Sequence, residues 1–482
     1  MNNNQDRKKA FVIINSEQKG FFTAISKVLS NNYNYDVTIV CRDIYVKKIV
    51  DKLLPNFVNI VVLSDIKLKE IPESDIVKVA LNYEKKYGIN LNKLMSEDRA
   101  LGQGYLFNIE KIPTIIRSFW PYEKKLSSII DVIRKYEIAI NANGIIIQQW
   151  PNKIVHSIAK YNEGVSYSLV YMKYGNRFLW TSGEFVSGHS FIKRIKHNLC
   201  KNFDNKKNNY QIEEDGNNLN KLELSKFSYF NALKRALFLI WNDTKNWIRG
   251  MNKKNSYKYL GWVPSVFRKI SNYKYVKSIG VTPDQLTDYN VIFYPLQMEP
   301  EVAILYYSPE FNNSMEAISQ ISKASEVGTI IVLKEQNKSF AVRSRWYYKQ
   351  LEKIPNVVWA DPDIHSWEWI KISKVVATIT GTAGIEAVSM LKPVISFGKH
   401  QAINHLPTVF YVNSFDSVSL TIKDIFERYN EMDFEHSKNA FIKAQVDSSF
   451  DFPEYKNKFK SIELEVDLAE KSLQNLNKEY TL

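Results

Sequence analysis

The chain has 482 residues, of which 45% are hydrophobic, 24% charged and 13% aromatic, and its formal net charge is +14. This composition predicts more than one packed core and excludes a small binding module, a disordered chain and a collagen-like chain. Two cysteines, Cys41 and Cys200, are too few for a disulfide framework or a thiolate metal site. A reducing compartment, the cytoplasm, is therefore expected.

The first third of the chain alternates strand and helix signals. The predicted order is strand 11–15, helix 21–29, strand 36–41, helix 44–54, strand 58–63, helix 129–136, strand 138–142, helix 153–161 and strand 166–170. Because parallel strands require a crossover of about a dozen residues, this order predicts a parallel sheet. We assign residues 1–200 to one Rossmann-like domain of the α/β class. Its first apolar stretch, residues 11–14, is too short for a signal peptide.

A polar segment and then a strongly basic one follow. Residues 229–277 contain eleven Lys or Arg residues against one acid, Asp243, so this segment alone carries +10. It also holds eleven aromatic residues, a mixture that suits an anionic membrane surface. Two alternatives are a helical insert with solvated cations and a nucleic-acid surface. We assign residues 201–285 to a polar linker and a basic helical segment, and expect an anionic membrane surface and no nucleic acid as partner.

The alternation restarts at residue 290. The predicted strands are 291–294, 328–333, 357–359, 375–379 and 394–397, and the predicted helices are 314–324, 343–351, 366–372 and 384–391. These elements predict a second Rossmann-like domain over residues 286–430. Helical patterns at 417–429 and 455–475 follow, and we assign residues 431–482 to C-terminal helices. No run approaches the ~20 apolar residues of a membrane-spanning helix, so a soluble or peripheral protein is expected.

The most informative stretch is 376–400, V-A-T-I-T-G-T-A-G-I-E-A-V-S-M-L-K-P-V-I-S-F-G-K-H. A strand ends at Ile379, and a glycine-containing turn then opens a helix. Glycines let a phosphate approach the backbone, and free N–H groups at a helix start favour an anion. An acid on the helix can accept hydrogen bonds from ribose hydroxyls. The alternative is a turn that only packs the helix on the sheet. The predicted nucleotide-binding residues are Thr380, Gly381, Thr382, Ala383, Gly384 and Glu386.

Residues 378–398 resemble the T-G-T-x-x-x-E-A and K-P-V-I-x-F-G signature of the capsular polysaccharide synthesis glycosyltransferases, a bacterial surface-glycan family that includes Kdo transferases. The elements Y-P-L-Q-M-E-P-E at 294–301, V-L-K-E at 332–335 and D-P at 361–362 extend the resemblance over residues 290–410. The stretch D-R-A-L-G-Q-G-Y at 98–105 is similar to one in related transferases. Gln336 stands where the family has the histidine of a His-Pro pair, which leaves the identity of the donor open.

This resemblance implies a GT-B fold, with two Rossmann-like domains facing across a cleft. The C-terminal domain is then expected to bind a nucleotide-sugar donor as substrate and the N-terminal one the acceptor, without a cofactor or an obligatory metal. Lys334 is the first candidate to offset leaving-group charge, and a solvated loop lysine is its alternative. Arg343 and Arg345 are weaker candidates because an exposed helix face is expected for both. The pair Asp361 and Asp363 has the spacing of a metal motif, but no metal is predicted.

The predicted catalytic carboxylates are Asp98, Glu97 and Glu17. A neighbouring Arg99 would keep Asp98 ionised, as a base or nucleophile requires, and a structural ion pair is the alternative. His156 and His189 are candidate proton shuttles.

Together these patterns predict a glycosyltransferase of bacterial capsule or lipopolysaccharide synthesis, peripheral on the inner face of the cytoplasmic membrane. Its donor is expected to be a nucleotide-sugar, with a CMP-linked sugar as the first to consider, and its acceptor a glycan or glycolipid. The alternatives are a hydrolysing sugar-nucleotide 2-epimerase and a non-catalytic GT-B scaffold in a polysaccharide assembly complex.

Overall fold

The computed structural model describes residues 7–15, 18–98, 101–102, 120–172, 176–185, 187–201, 228–248, 260, 263–299, 304–305, 308, 311, 313–452 and 465–480. The chain divides into two compact units. Unit 1 comprises Met1–Asn92, Tyr122–Asn202 and Ala440–Leu482, and unit 2 comprises Lys93–Pro121 and Phe203–Asn439.

The described strands and helices alternate along most of the chain. The strands are β1 (Lys9–Ile14), β2 (Asp36–Cys41), β3 (Ile60–Val62), β4 (Ile145–Gln149), β5 (Val165–Tyr171), β6 (Arg177–Ser182), β7 (Asn290–Pro295), β8 (Thr329–Lys334), β9 (Val357–Trp359), β10 (Val375–Thr378), β11 (Val394–Ser396), β12 (Val409–Tyr411) and β13 (Ser449–Asp451). The helices are α1 (Lys19–Asn32), α2 (Ile44–Leu53), α3 (Ile76–Tyr87), α4 (Leu91–Glu97), α5 (Tyr122–Ala139), α6 (Lys153–Tyr161), α7 (His189–Leu199), α8 (Tyr229–Ile248), α9 (Val263–Ile279), α10 (Ser314–Ala324), α11 (Arg345–Glu352), α12 (Ser366–Ile372), α13 (Thr382–Ser389), α14 (Ser417–Glu427), α15 (Phe434–Ser448) and α16 (Val466–Tyr480).

Unit 1 is built on a seven-stranded sheet of order β13-β6-β5-β4-β1-β2-β3. The strands from β3 to β5 are parallel, whereas β6 and β13 are antiparallel to their neighbours. β1 lies in the middle and pairs with β2 on one side and β4 on the other. Read from β3, the order is 3-2-1-4-5-6, which is the Rossmann order. Helix α16 packs with α1, so the C-terminal residues complete this unit.

Unit 2 is built on a six-stranded, wholly parallel sheet of order β12-β11-β10-β7-β8-β9. This order repeats the Rossmann order, with β7 in the place of β1. The strands are apolar on both faces, as expected where helices cover both sides of a parallel sheet. From β7 the strands are added on one side, as β8 and β9, and then on the other side, as β10, β11 and β12. The topological switch point therefore lies between β7 and β10. Ligands of such sheets bind beyond the carboxyl ends of the strands at this switch point.

Several helices begin at a side chain that accepts hydrogen bonds from the first turn. Asp43 accepts from Val46 N–H at the start of α2, and Asn313 accepts from Met315 N–H at the start of α10. These caps satisfy N–H groups that have no partner within the helix. The local sequence therefore sets where these helices start.

The predicted α/β class with two Rossmann-like units is confirmed, and helices are present in the basic segment at α8 and α9. The predicted strand 138–142 is wrong, because α5 continues to Ala139 and the strand forms only after the Asn- and Gly-containing turn, at β4. The units also differ from the predicted boundaries. Residues 440–482 join unit 1, and the basic helices join unit 2 instead of standing apart.

Candidate functional site

A pocket of about 410 Å³ lies in unit 2 beyond the carboxyl ends of the strands. This volume is within the usual range for small-molecule sites. Four loops line the pocket, namely those that follow β7, β8, β9 and β10. The lining residues include Gln297, Lys334, Gln336, Asp363, His365, Gly381, Thr382, Ala383 and Glu386. The pocket therefore brings together Lys334 and four of the six predicted nucleotide-binding residues.

The turn between β10 and α13 is held by the last residue of the strand. Thr378 Oγ1 accepts a hydrogen bond of 2.9 Å from the N–H of Gly381. A Cβ atom at position 381 would lie 2.6 Å from that oxygen. Glycine is thus required here because the threonine hydroxyl approaches closely.

Gln297, in the loop after β7, supports the same turn. Its side chain is only 5% exposed. With its amide oxygen facing the turn, it accepts hydrogen bonds from the backbone N–H of Thr380, at 3.0 Å, and of Gly381. In this orientation both N–H groups are bound within the protein, and nucleotide binding by Thr380 and Gly381 stays a prediction.

Two N–H groups at the start of α13 remain available. Within the described part of the chain, no hydrogen bond involves the backbone N–H of Thr382 or Ala383. Both residues line the pocket. Unsatisfied N–H groups at a helix start favour an anion, and the helix dipole adds to this preference.

Glu386 and Gly384 lie on the same helix but in different surroundings. Glu386 is four residues after Thr382, on the same face, and lines the pocket. Gly384 is buried, and a Cβ there would lie 2.8 Å from Ile403 Cδ1 and 3.2 Å from Thr378 Cγ2. The structure therefore places Gly384 in the packing of helix on sheet, which was the alternative for this motif.

Lys334 is the last residue of β8 and lines the pocket, although it is 9% exposed. Its Nζ donates a hydrogen bond of 3.1 Å to the carbonyl of Pro362. Burial lowers its pKa to about 8, and the carboxylates of Asp361 and Asp363 limit that fall. The alternative of a solvated loop lysine is therefore wrong. The Lys334 amine therefore changes between its charged and neutral forms near pH 8.

Arg343 is fully buried, which corrects the expectation of an exposed helix face. Its guanidinium donates to both carboxylate oxygens of Glu335, at 2.5 and 2.6 Å, and to Glu299 at 3.2 Å. It also donates to the carbonyl of Gln297 at 2.5 Å. One arginine therefore joins the loops after β7 and β8 beneath the pocket.

The charges of this buried cluster support each other. Burial raises the pKa of Glu335, while Arg343 and the hydroxyl of Tyr348 oppose that rise. Burial also disfavours the charge of Arg343, but the neighbouring carboxylates hold its pKa well above the usual value. No local sequence pattern predicts this cluster, because its members come from separate loops. Arg345, two residues on, lies instead against α9, where it donates to the carbonyl of Ser271 at 2.6 Å.

Asp361 and Asp363 are joined by a lysine. Nζ of Lys277 lies 2.6 Å from Asp361 Oδ2 and 2.9 Å from Asp363 Oδ2, and Tyr273 donates to Asp363 at 2.7 Å. Partial burial disfavours the charge of Lys277, but hydrogen bonds to the two carboxylates raise its pKa. In the described ranges, no group of three or more His, Cys, Asp or Glu residues is arranged to hold a metal ion.

Two of the three predicted catalytic carboxylates, Glu97 and Asp98, are described, and neither lines the pocket. Glu17 and Arg99 lie outside the described residues. Glu97 ends α4 and is 8% exposed, and Asp98 accepts a 2.8 Å hydrogen bond from the N–H of Leu101. This contact shows that Asp98 holds the backbone of its loop, whereas the ion pair with Arg99 that was the alternative lies outside the described residues. Glu97 and Asp98 belong to unit 2, not to the N-terminal unit as expected, and a catalytic role for any of the three carboxylates stays a prediction.

Unit 1 holds its own buried polar groups. Gln18, at the start of α1, has a left-handed backbone (φ 47°) and is 5% exposed. Among the described residues, neither polar atom of its side chain has a hydrogen-bond partner. His156 lies 3.1 Å from Ser166 Oγ, and burial lowers its pKa while Glu184 opposes that change. His189, the other histidine considered, is the first residue of α7.

The comparisons with known proteins bear on the region that contains this pocket. Residues 243–403 match the family model described as capsule polysaccharide biosynthesis protein. The predicted family resemblance is confirmed. The match covers the strands β7 to β11 and every pocket residue named above. Comparison with curated protein sequences gives no match.

Solved structures show more distant likenesses. The chain is similar to the KpsC beta Kdo 2,7 transferase of Thermosulfurimonas dismutans at 14% identity, over 58% of this chain and 74% of that one, with a TM-score of 0.31. It is similar to Alr3699/HepE of Anabaena, solved with UDP-glucose, at 10% identity over 99% and 100% of the two chains, with a TM-score of 0.30. A glycosyltransferase from Rickettsia africae shares 13% identity over 98% and 99%, with a TM-score of 0.27. With TM-scores below 0.5, these likenesses decide nothing about fold or activity.

Proposed function

We propose that this protein is a glycosyltransferase that moves a sugar from a nucleotide-sugar to a glycan or glycolipid in bacterial capsule or lipopolysaccharide synthesis. The pocket at the switch point of unit 2 carries the proposal. It combines two open N–H groups at a helix start with a buried lysine and a carboxylate. The family match over residues 243–403 supports the pathway.

The chemistry of the lining residues suits the donor's nucleotide. The N–H groups of Thr382 and Ala383 and the ammonium of Lys334 are assigned to the phosphate, where negative charge grows as the sugar leaves. Glu386 is assigned to the ribose hydroxyls, which donate to a carboxylate. Since these groups neutralise the leaving group, turnover is expected to persist in EDTA.

Gln336 is the residue most directly concerned with donor choice. It lines the pocket at the position where the family has histidine, and its N–H donates to Glu335 at 2.8 Å. A neutral amide cannot supply the positive charge that a histidine can. A CMP-linked sugar remains the first donor to test, with UDP- and GDP-linked sugars beside it.

Thermal unfolding with CMP, UDP and GDP tests the nucleotide site. A nucleotide at 100 times its Kd is expected to stabilise the protein by about 2.7 kcal/mol. Glu386→Gln is expected to weaken binding of that nucleotide roughly tenfold or more, because a hydrogen bond to a charged group is lost. The matched control is Glu368→Gln, which removes an exposed carboxylate paired with Lys371 on the neighbouring helix.

The 2′,3′-dideoxynucleotide separates a contact with ribose from a general effect of charge. The wild type is expected to bind the dideoxynucleotide more weakly than the natural nucleotide. Glu386→Gln is expected to bind the two nucleotides with similar affinity, because the contact with ribose is already lost, as in a double-mutant cycle. If none of the three nucleotides stabilises the protein, the proposed site is wrong. If the donor releases a sugar inverted at C2 when no acceptor is added, the epimerase alternative replaces transfer.

A further inference from the structure

Helix α8 exposes its large apolar side chains and buries its small ones. Ala232 and Ala236 are each 3% exposed, whereas Phe230 is 66%, Trp241 59% and Ile248 73% exposed. A helix that only packs on its own unit shows the opposite pattern. Helix α8 contacts α9, so its inner side is already covered.

The exposed apolar residues form a line along the helix. Phe230, Leu237, Trp241 and Ile248 are separated by seven, four and seven residues. At 100° per residue they fall within about 40° of one another, and at 1.5 Å per residue they extend over roughly 27 Å. We name these four residues the outward stripe. Isolated exposed apolar residues are common, but a continuous line of this length marks an interaction surface.

Cations border the outward stripe. Nζ of Lys234 lies 4.3 Å from the centre of the Phe230 ring, and Nζ of Lys245 lies 4.7 Å from the Trp241 ring. The single acid in α8, Asp243, accepts a hydrogen bond of 3.1 Å from the N–H of Leu260. The border of the stripe is therefore positive.

We propose that α8 docks unit 2 onto the surface of a bilayer that contains anionic lipid. Aromatic and apolar side chains enter the boundary between headgroups and acyl chains, while adjacent lysines remain at the level of the phosphates. The charge of the border selects an anionic surface. This attachment is peripheral: no helix in the described part of the chain is long and apolar enough to span a membrane. The inference stands independently of the nucleotide site.

Helix α9 shows that the positive charge of the segment is not distributed evenly. Its Lys277 is bound by Asp361 and Asp363, and its Arg268 donates to the carbonyl of Val342 at 3.4 Å. The docking surface is therefore assigned to α8 alone. Variants of α8 test it without disturbing these contacts.

Co-sedimentation of the full chain with vesicles tests the proposal. Binding to vesicles of phosphatidylcholine with phosphatidylglycerol is expected to exceed binding to pure phosphatidylcholine at least tenfold, and to fall as NaCl rises from 0.15 to 0.5 M. The double variant Leu237→Ser, Trp241→Ser is expected to lose at least tenfold in binding. Leu420→Ser, on a leucine of α14 that is more exposed (72%) than Leu237 (58%), is the control that retains it. Unchanged thermal unfolding shows that the variants fold.

Three outcomes would overturn the inference. Equal binding to neutral vesicles would show that the positive border does not select anionic lipid. No binding to either kind of vesicle would show that α8 does not dock on a membrane. Concentration-dependent self-association that the double variant abolishes would assign the stripe to a second copy of the chain. Nucleotide binding by the double variant should equal that of the wild type, so failure here is distinguishable from failure of the proposed function.

Discussion

Each of the two units has an equally buried glutamine shortly after its first strand. One of the two side-chain amides is hydrogen-bonded, whereas the other is not within the described part of the chain. Gln297 of unit 2 is 5% exposed and its amide supports the turn of Thr380 and Gly381. Gln18 of unit 1 is also 5% exposed, but its amide has no partner among the described residues. Strand order sets where such a residue lies, and the loops around it decide whether it is a structural support or an unsatisfied group.

Arg343 is the residue on which the order of unit 2's loops depends most. Arg343→Met leaves Glu299 and Glu335 buried without their cation, so we expect a loss of about 3–5 kcal/mol in the free energy of unfolding. Thermal unfolding of the full chain measures this loss. Arg428→Met is the control, because Arg428 is exposed in its pairs with Asp424 and Glu431 and should change stability by less than about 1 kcal/mol. A loss as small for Arg343 would contradict the support assigned to it.

Lys334 makes nucleotide binding in unit 2 depend on pH. Its pKa of about 8 is below the usual value, and a bound phosphate favours the charged form. The protein must then take up a proton to bind when the pH exceeds 8. We expect the nucleotide identified by thermal shift to bind about tenfold more weakly at pH 9 than at pH 7.

Lys334→Met is the matching variant for this pH effect. It should bind more weakly at pH 7 and lose the dependence between pH 7 and 9, as measured by calorimetric titration. A variant that keeps the wild-type pH profile would show that another group titrates.

The two glutamines provide the most direct test of the comparison between the units. Gln297→Met is expected to lower the free energy of unfolding by about 1–2 kcal/mol, because the turn's N–H groups lose their acceptor. Gln18→Met is expected to raise it by about 1 kcal/mol, since a buried amide without a partner is removed. Thermal unfolding of both variants measures the difference. A loss of stability for Gln18→Met would mean that the Gln18 amide is satisfied.

The sequence was most informative where the determining residues are adjacent in the chain. The strand, glycine turn and helix around Thr382 follow one another directly, so their order alone predicts that Glu386 lies on the first turns of the helix after the turn. The cluster of Arg343 with Glu335 and Glu299 joins residues up to 44 positions apart, and no local pattern announces it. The composition of residues 229–277 predicts their positive charge. Only the folded helices show that α8 exposes aromatic rings, whereas cations of α9 bind carboxylates and a carbonyl group of the same unit.

The support that Gln297 gives to the β10–α13 turn has a consequence for the cost of ligand binding. Thr378 and Gln297 hold this turn through hydrogen bonds that exist before any ligand arrives. The conformational entropy of the turn is therefore lost when the chain folds, not when the donor binds. Affinity in such a pocket depends less on new contacts than on this preorganisation, which also leaves little room for the backbone to adapt to a donor of different shape.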